Sequence, residues 1–243
     1  MRSRHPIPVL PGFASRLREL GWVSELFVAG SAATGDYRAG VSDLDLVALV
    51  EGAMDTDRLQ ALTTLHRELD AGAGRQVDLG CAYVEASRLA AIGAPHPTWT
   101  HGELLSRPLS LLTRAELAWF GYSMFGRPPQ QVFPEMSEDD ARGAVRDELA
   151  GYWAWAARRP WMWLDPALAD LGLTSMARAR HTLATGELLT KSAAVEQVSA
   201  PDWLIGQLRA RRSGADLCSP RVRTALIAWR DVRRTVLAHK VSS

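Results

Sequence analysis

One stretch of this chain limits its folding choices more than any other: Leu26-Phe-Val-Ala-Gly-Ser-Ala-Ala-Thr-Gly-Asp-Tyr-Arg-Ala-Gly-Val-Ser-Asp-Leu-Asp-Leu-Val47. The apolar run Glu25–Ala29 reads as a buried strand ending in Gly30-Ser31. There a glycine lets the backbone turn tightly and approach a ligand, and a small serine offers its hydroxyl and amide to phosphate oxygens. Twelve residues after Ser31, Asp43 opens a strict polar/apolar alternation, the period of a strand with one face in a core. Strand side chains alternate, so Asp43 and Asp45 share a face, one two-residue step apart. Two carboxylates held that close repel unless a cation sits between them, and divalent magnesium suits such oxygen ligands. Asp78, in Arg75-Gln-Val-Asp-Leu-Gly-Cys81, stands on the next strand and can complete a carboxylate triad.

Around this stretch the first 90 residues alternate strand and helix. The pattern predicts a helix over 13–20, strands over 25–29, 43–50 and 77–84, and a helix over 55–71 closed by Gly72 and Gly74. That is a helix-flanked sheet, an α/β or α+β domain. Beyond residue 90 the strand signal fades into a proline-interrupted connector containing a helix near Arg114–Phe125. Then Ser137 caps an acidic first turn and a long helix to about Arg158. Further helices are predicted over 165–185 (stopped by Gly186), 191–198, 201–212 and 219–239, the last with Ser219 as N-cap and Pro220 at its first position. The second half is therefore all-α. We place the division at residues 1–110 and 111–243, within a window of 90–135.

Composition excludes several classes. With 28 basic and 27 acidic residues the formal charge is +1, too little for a protein that coats nucleic acid. Two cysteines, Cys81 and Cys218, make neither a disulfide framework nor a four-cysteine metal site, and point to a reducing cytoplasm. The opening Met1-Arg-Ser-Arg-His-Pro lacks an apolar core and makes a poor signal peptide, and no apolar run would span a bilayer. His96 and His101 lack the spacing of a zinc site, and neither a P-loop nor a Gly-x-Ser-x-Gly elbow occurs. The charge is unevenly spread: −3 over residues 1–90, −3 over 91–170 and +7 over 171–243. The basic portion suits a polyphosphate and the acidic portions suit metal ions and a cationic acceptor.

The Gly30-Ser31, Asp43-Leu-Asp45 and Asp78 arrangement resembles the nucleotidyltransferase superfamily related to DNA polymerase beta. The resemblance implies a nucleotidyltransferase domain with a mixed sheet, followed by a helical-bundle domain. It implies that Asp43 and Asp45 hold two Mg2+ ions and that Gly30 and Ser31 bind the triphosphate of ATP. Asp78 would be a further metal ligand and the general base.

A second segment, Leu173-Thr-Ser-Met-Ala-Arg-Ala-Arg-His-Thr-Leu-Ala-Thr-Gly-Glu-Leu-Leu-Thr-Lys191, resembles the aminoglycoside (3″)(9) adenylyltransferases, which modify streptomycin and spectinomycin. In that family an arginine-bearing helix runs into Thr-Gly, and a lysine five residues later reaches the nucleotide phosphates. Here those positions are Arg178 and Lys191, the latter one of only two lysines. The family usually has glutamate where this chain has the shorter Asp78. Trp99, and Asp165 and Asp170 near the start of the Arg178 helix, are the candidates for contact with a polycationic acceptor.

The resemblance thus implies a cytoplasmic, magnesium-dependent adenylyltransferase that moves AMP from ATP to a hydroxyl of a small molecule, an aminoglycoside antibiotic above all. Such an enzyme confers antibiotic resistance, and its site would lie in a cleft between its two domains. The expected partners are ATP and the acceptor, without nucleic acid or membrane, in a monomer or homodimer. The alternatives are modification of a protein side chain and a non-catalytic, antitoxin-like binding module.

Overall fold

The computed structural model describes residues 7–241; the opening Met1–Pro6, read above for a leader, lies outside the described residues. Contacts divide the chain into two compact units, Met1–Met136 and Ser137–Ser243.

The first unit is built on a six-stranded sheet: β1 (Val23–Val28), β2 (Leu44–Val50), β3 (Leu79–Glu85), β4 (Pro95–Thr100), β5 (Glu103–Pro108) and β6 (Tyr122–Phe125), in the order β5-β4-β3-β2-β1-β6. Only β2 and β3 run parallel, as a crossover through a helix requires. The helices are α1 (Val9–Glu19), α2 (Gly30–Thr34), α3 (Thr56–Ala71) and α4 (Leu111–Phe120). Asp55 starts α3 by accepting from Arg58 N (2.9 Å), and Ser110 starts α4 by accepting from Thr113 N (3.0 Å).

The strand alternation sorts the core into two layers. Leu44, Leu46, Ala48 and Val50 pack with Phe13, Leu17, Leu62 and Leu65 on the α1/α3 side. Val47 and Leu49 pack with Phe27, Leu117 and Phe133 on the other. By the same period Asp43 and Asp45 belong to the face of Val47 and Leu49, at the end of the strand where no core residue follows.

Two expectations for this region are corrected. Strands do occur beyond residue 90: β4 and β5 form a hairpin closed by Thr100–Glu103. His101 and Gly102 fill its two-residue turn with positive φ (51° and 77°), which matches the twist of a hairpin. Pro95, Pro97 and Pro108 mask this hairpin in the sequence; Pro108 is tolerated on the edge strand β5, and Pro95 and Pro97 lie outside the β3–β4 pairing, which runs through Thr98 and Trp99. The helix expected over 114–125 stops at Phe120, and Tyr122–Phe125 becomes β6, paired antiparallel with β1. By contacts, residues 111–136 belong to the first unit.

Trp99 and His66 form the aromatic heart of the α3 side. Their rings stack 4.7 Å apart at 9°, and His66 Nε2 shares a hydrogen bond with the Tyr83 hydroxyl (2.7 Å). Burial lowers the His66 pKa to about 3. The unfolded chain protonates this imidazole near 6.5 while the folded chain keeps it neutral. Its contribution is therefore complete above about pH 6.5 and declines as pH falls toward 3, by up to about 1.4 kcal/mol per pH unit. Urea melts between pH 7 and pH 5 should show this loss, and His66→Phe should flatten it. An unchanged pH slope in the variant would contradict the assignment.

The second unit is helical: α5 (Glu138–Glu148), a π-helical turn (Leu149–Trp153) leading into α6 (Ala154–Ala157), then α7 (Pro166–Thr185), α8 (Lys191–Val195), α9 (Asp202–Arg212) and α10 (Arg221–Val241). Ser137 and Asp140 form a reciprocal capping box at α5. Arg180 of α7 pairs with buried Asp231 of α10 (2.9 Å) and also donates to Thr235 Oγ1 (2.9 Å). Of the tryptophans in this unit, Trp153 and Trp163 are buried, whereas Trp155 and Trp161 are exposed. Ser219, expected to cap α10, instead donates to Gln207 Oε1 (2.6 Å) and accepts from Arg211 (2.8 Å); that helix begins at Arg221. Among the described residues, no helix is long and apolar enough to cross a membrane.

Candidate active site

β1 delivers the chain to Gly30, and Ala29 N donates to Asp45 O (2.9 Å), which sets the Gly30 turn beside the start of β2. Gly30 has φ +57°, a left-handed backbone, and a Cβ placed on it would overlap the Asp45 carboxylate and lie 2.9 Å from Asp45 Cγ. Only glycine lets the turn and the carboxylate approach this closely. Ser31 is buried, and its hydroxyl makes no hydrogen bond, a donor and acceptor held in place without a protein partner. Gly35 ends the short α2 in the left-handed region (φ 77°), Asp36 N returns to Ser31 O (2.8 Å), and Arg38 N donates to Ser42 Oγ (3.0 Å). These bonds close the loop that brings the chain to Asp43.

Asp43 directly precedes β2, and Asp45 is its second residue. Leu44 N donates to Asp78 O (2.8 Å), and Leu44 is registered opposite Leu79, so Asp78 stands beside Asp43 on the parallel strand. The backbone thus brings Asp43, Asp45, Asp78 and the Gly30-Ser31 turn to one end of three neighbouring strands.

The side chains are less closed. The Asp78 side chain is 58% exposed, with an oxygen 3.9 Å from His101 Nδ1. Among the described residues, no group of three or more His, Cys, Asp or Glu converges to hold a metal ion. The donor chemistry fits a hard divalent cation at Asp43 and Asp45, two carboxylates on one face with the Gly30 backbone closing one side.

Two neighbours of the site escaped the sequence reading. Tyr37 has its pKa raised by burial and by the Asp43 charge, so its hydroxyl remains a neutral donor close to Asp43. Asp70, at the end of α3, is held above the ordinary carboxylate range by burial. The Trp99 indole N–H (3.2 Å) opposes that shift, and the charge of Asp78 adds to it. The signal for Tyr37 was its place in the loop between Ser31 and Asp43. For Asp70 the linear sequence held none.

In the helical unit, Arg178 and Lys191 come to one turn. The Thr185-Gly186 end of α7 is fixed by the left-handed Gly186 (φ 84°), which donates to Thr182 O (2.7 Å). Thr182 Oγ1 donates to Glu187 O (2.8 Å) and Arg178 Nε to Leu189 O (2.8 Å), two residues before Lys191. Thr190 Oγ1 then accepts from Ala193 N (3.2 Å), so Lys191 opens α8 in a defined position.

The acceptor candidates fare differently. Trp99 is 1% exposed and packed on His66, a core residue with no face to offer a ligand. Asp165 is exposed and caps α7 by accepting from Ala167 N (2.9 Å). Asp170 is bound bidentately by Arg211 (2.6 and 2.8 Å), which cancels the charge that a polycation would need. Asp170 and Arg211 line a largely apolar cavity of about 530 Å³ within the helical unit, walled by Trp163, Pro166 and Leu217.

Residues 10–90 match the family model described as the nucleotidyltransferase domain. The fold is similar to the crystal structure of the spectinomycin adenyltransferase AAD(9) from Enterococcus faecialis, solved with ATP and spectinomycin. That likeness has a TM-score of 0.68 at 12% identity and covers 92% of this chain and 98% of the other. No curated protein sequence matches. Residues 10–90 thus carry a nucleotidyltransferase domain, and the chain shares the fold of that adenyltransferase.

Proposed function

We propose that this chain transfers AMP from ATP to a hydroxyl of a small molecule, with an aminoglycoside of the streptomycin and spectinomycin type as acceptor. The observation that carries this reading is the close approach of Gly30 to Asp45, with Asp43 on the same face, at the mouth of a strand-loop-strand unit. That the similar AAD(9) structure holds ATP and spectinomycin supports the choice of donor and acceptor class.

In this reading Asp43 and Asp45 hold magnesium, which when bound neutralises phosphate charge and favours in-line displacement. The Gly30 and Ser31 amides and the unpartnered Ser31 hydroxyl bind phosphate oxygens. Arg178 and Lys191 neutralise the triphosphate. The acceptor oxygen attacks the α-phosphorus, its bond to phosphorus forms as the bond to the leaving oxygen breaks, and pyrophosphate departs. Asp78, exposed at its strand end, takes the hydroxyl proton. Asp70 and His101, whose Nδ1 lies 3.9 Å from an Asp78 oxygen, are neighbours of that carboxylate.

The test is pyrophosphate release with magnesium, each of the four nucleoside triphosphates and a panel of aminoglycosides. Turnover should require ATP and one or more of the antibiotics. ATP binding without turnover on any acceptor would overturn the antibiotic reading. Lys191→Ala should raise the KM for ATP about tenfold or more, with Lys191→Arg recovering part of the loss. An unchanged KM would remove Lys191 from the phosphate site.

A further inference from the structure

Lys191 is flanked by two arginine contacts from other helices. Arg178 of α7 reaches Leu189 O, two residues before it. Arg212, in the last turn of α9, donates through Nε to Ser192 Oγ (3.2 Å), one residue after it. The other two arginines of that turn point elsewhere: Arg209 to Glu196 (2.9 and 2.6 Å) and Arg211 to Asp170 (2.6 and 2.8 Å). Three successive helices, α7, α8 and α9, thus bring three cationic side chains to one four-residue stretch.

Like charges gathered in one place favour an anion of matching charge, and a guanidinium offers a planar fork of N–H donors suited to phosphate oxygens. The Ser192 contact fixes the plane and direction of Arg212, which reduces the ordering cost of gripping a ligand. We infer that Arg212 is a third triphosphate-binding residue, beside Arg178 and Lys191; the inference rests on the adenylyl-transfer reading above. Ser192 is its positioning residue: it holds the guanidinium without contributing charge.

Calorimetric titration of the full chain with magnesium-ATP, inorganic tripolyphosphate and adenosine tests this directly. Arg212→Gln keeps an N–H donor for Ser192 and removes the charge. It should weaken ATP and tripolyphosphate binding about tenfold or more and leave adenosine binding unchanged. The remaining ATP affinity should depend less on salt, and the melting temperature should be retained. Arg212→Lys should recover part of the affinity. Ser192→Ala should produce a smaller loss with the salt dependence intact. Wild-type ATP affinity and salt dependence in Arg212→Gln would overturn the inference alone. A wild-type protein that binds no ATP would overturn the adenylyl-transfer reading and this inference with it.

Discussion

Asp45→Asn and Asp43→Asn should each lower kcat/KM for nucleotidyl transfer about 10²- to 10⁴-fold while leaving the fold intact. A carboxylate that holds a catalytic cation is asked for several kcal/mol of charge stabilisation in the transition state, and each 1.36 kcal/mol is a factor of about ten. Asparagine is nearly isosteric but neutral, so it keeps the space beside Gly30 filled and gives up the charge. Thermal melts should show the variants unfolding in one cooperative transition, so that the loss is one of chemistry and not of folding. Steady-state kinetics at saturating magnesium checks the activity. A loss below about tenfold in both variants would mean that these carboxylates do not serve the chemistry.

Gly30→Ala carries the second large effect, and through a different cause. A methyl group at φ +57° is strained by about 1–2 kcal/mol and would also overlap the Asp45 carboxylate. The variant should melt several degrees lower and lose most of its activity, because either the turn or the carboxylate must move. The double variant Gly30→Ala/Asp45→Ala separates these causes: truncating Asp45 removes Cγ and the carboxylate oxygens and leaves only Cβ, 3.1 Å from the new methyl. Stability should then partly return, giving a coupling between the two positions in a double-mutant cycle. Strictly additive stability losses would show that the strain lies in the backbone alone.

The parts of this fold that were legible in the sequence are those whose signals are local. The Asp43-Leu-Asp45-Leu alternation defined β2 and its polar face to within a residue, because burial on one side imposes a period of two. Ser137 and Gly186 marked helix ends through capping chemistry that acts over three or four residues. The β4–β5 hairpin was hidden because its strands carry three prolines and β5 is almost wholly exposed, which leaves no apolar period to read. β6 was hidden because four residues after a helix carry too little pattern, and only pairing with β1 makes them a strand.

The site divided in the same way. Gly30, Ser31, Asp43 and Asp45 lie within one short loop and its flanking strands, so their meeting could be foreseen. The capture of Asp170 by Arg211, 41 residues away, and the packing of Trp99 on His66, 33 residues away, are tertiary facts with no local trace. Arg212 was passed over for the same reason: three arginines near the end of α9 look alike until their partners are seen.

The central claim is that this chain joins the AMP of ATP to an acceptor hydroxyl. Mass spectrometry of the products after incubation with ATP, magnesium and pooled aminoglycosides tests it most directly. We expect an adenylylated antibiotic with pyrophosphate in equal amount, and neither product with Asp45→Asn. Wild-type protein that binds ATP yet yields no adenylylated member of the pool would contradict the account.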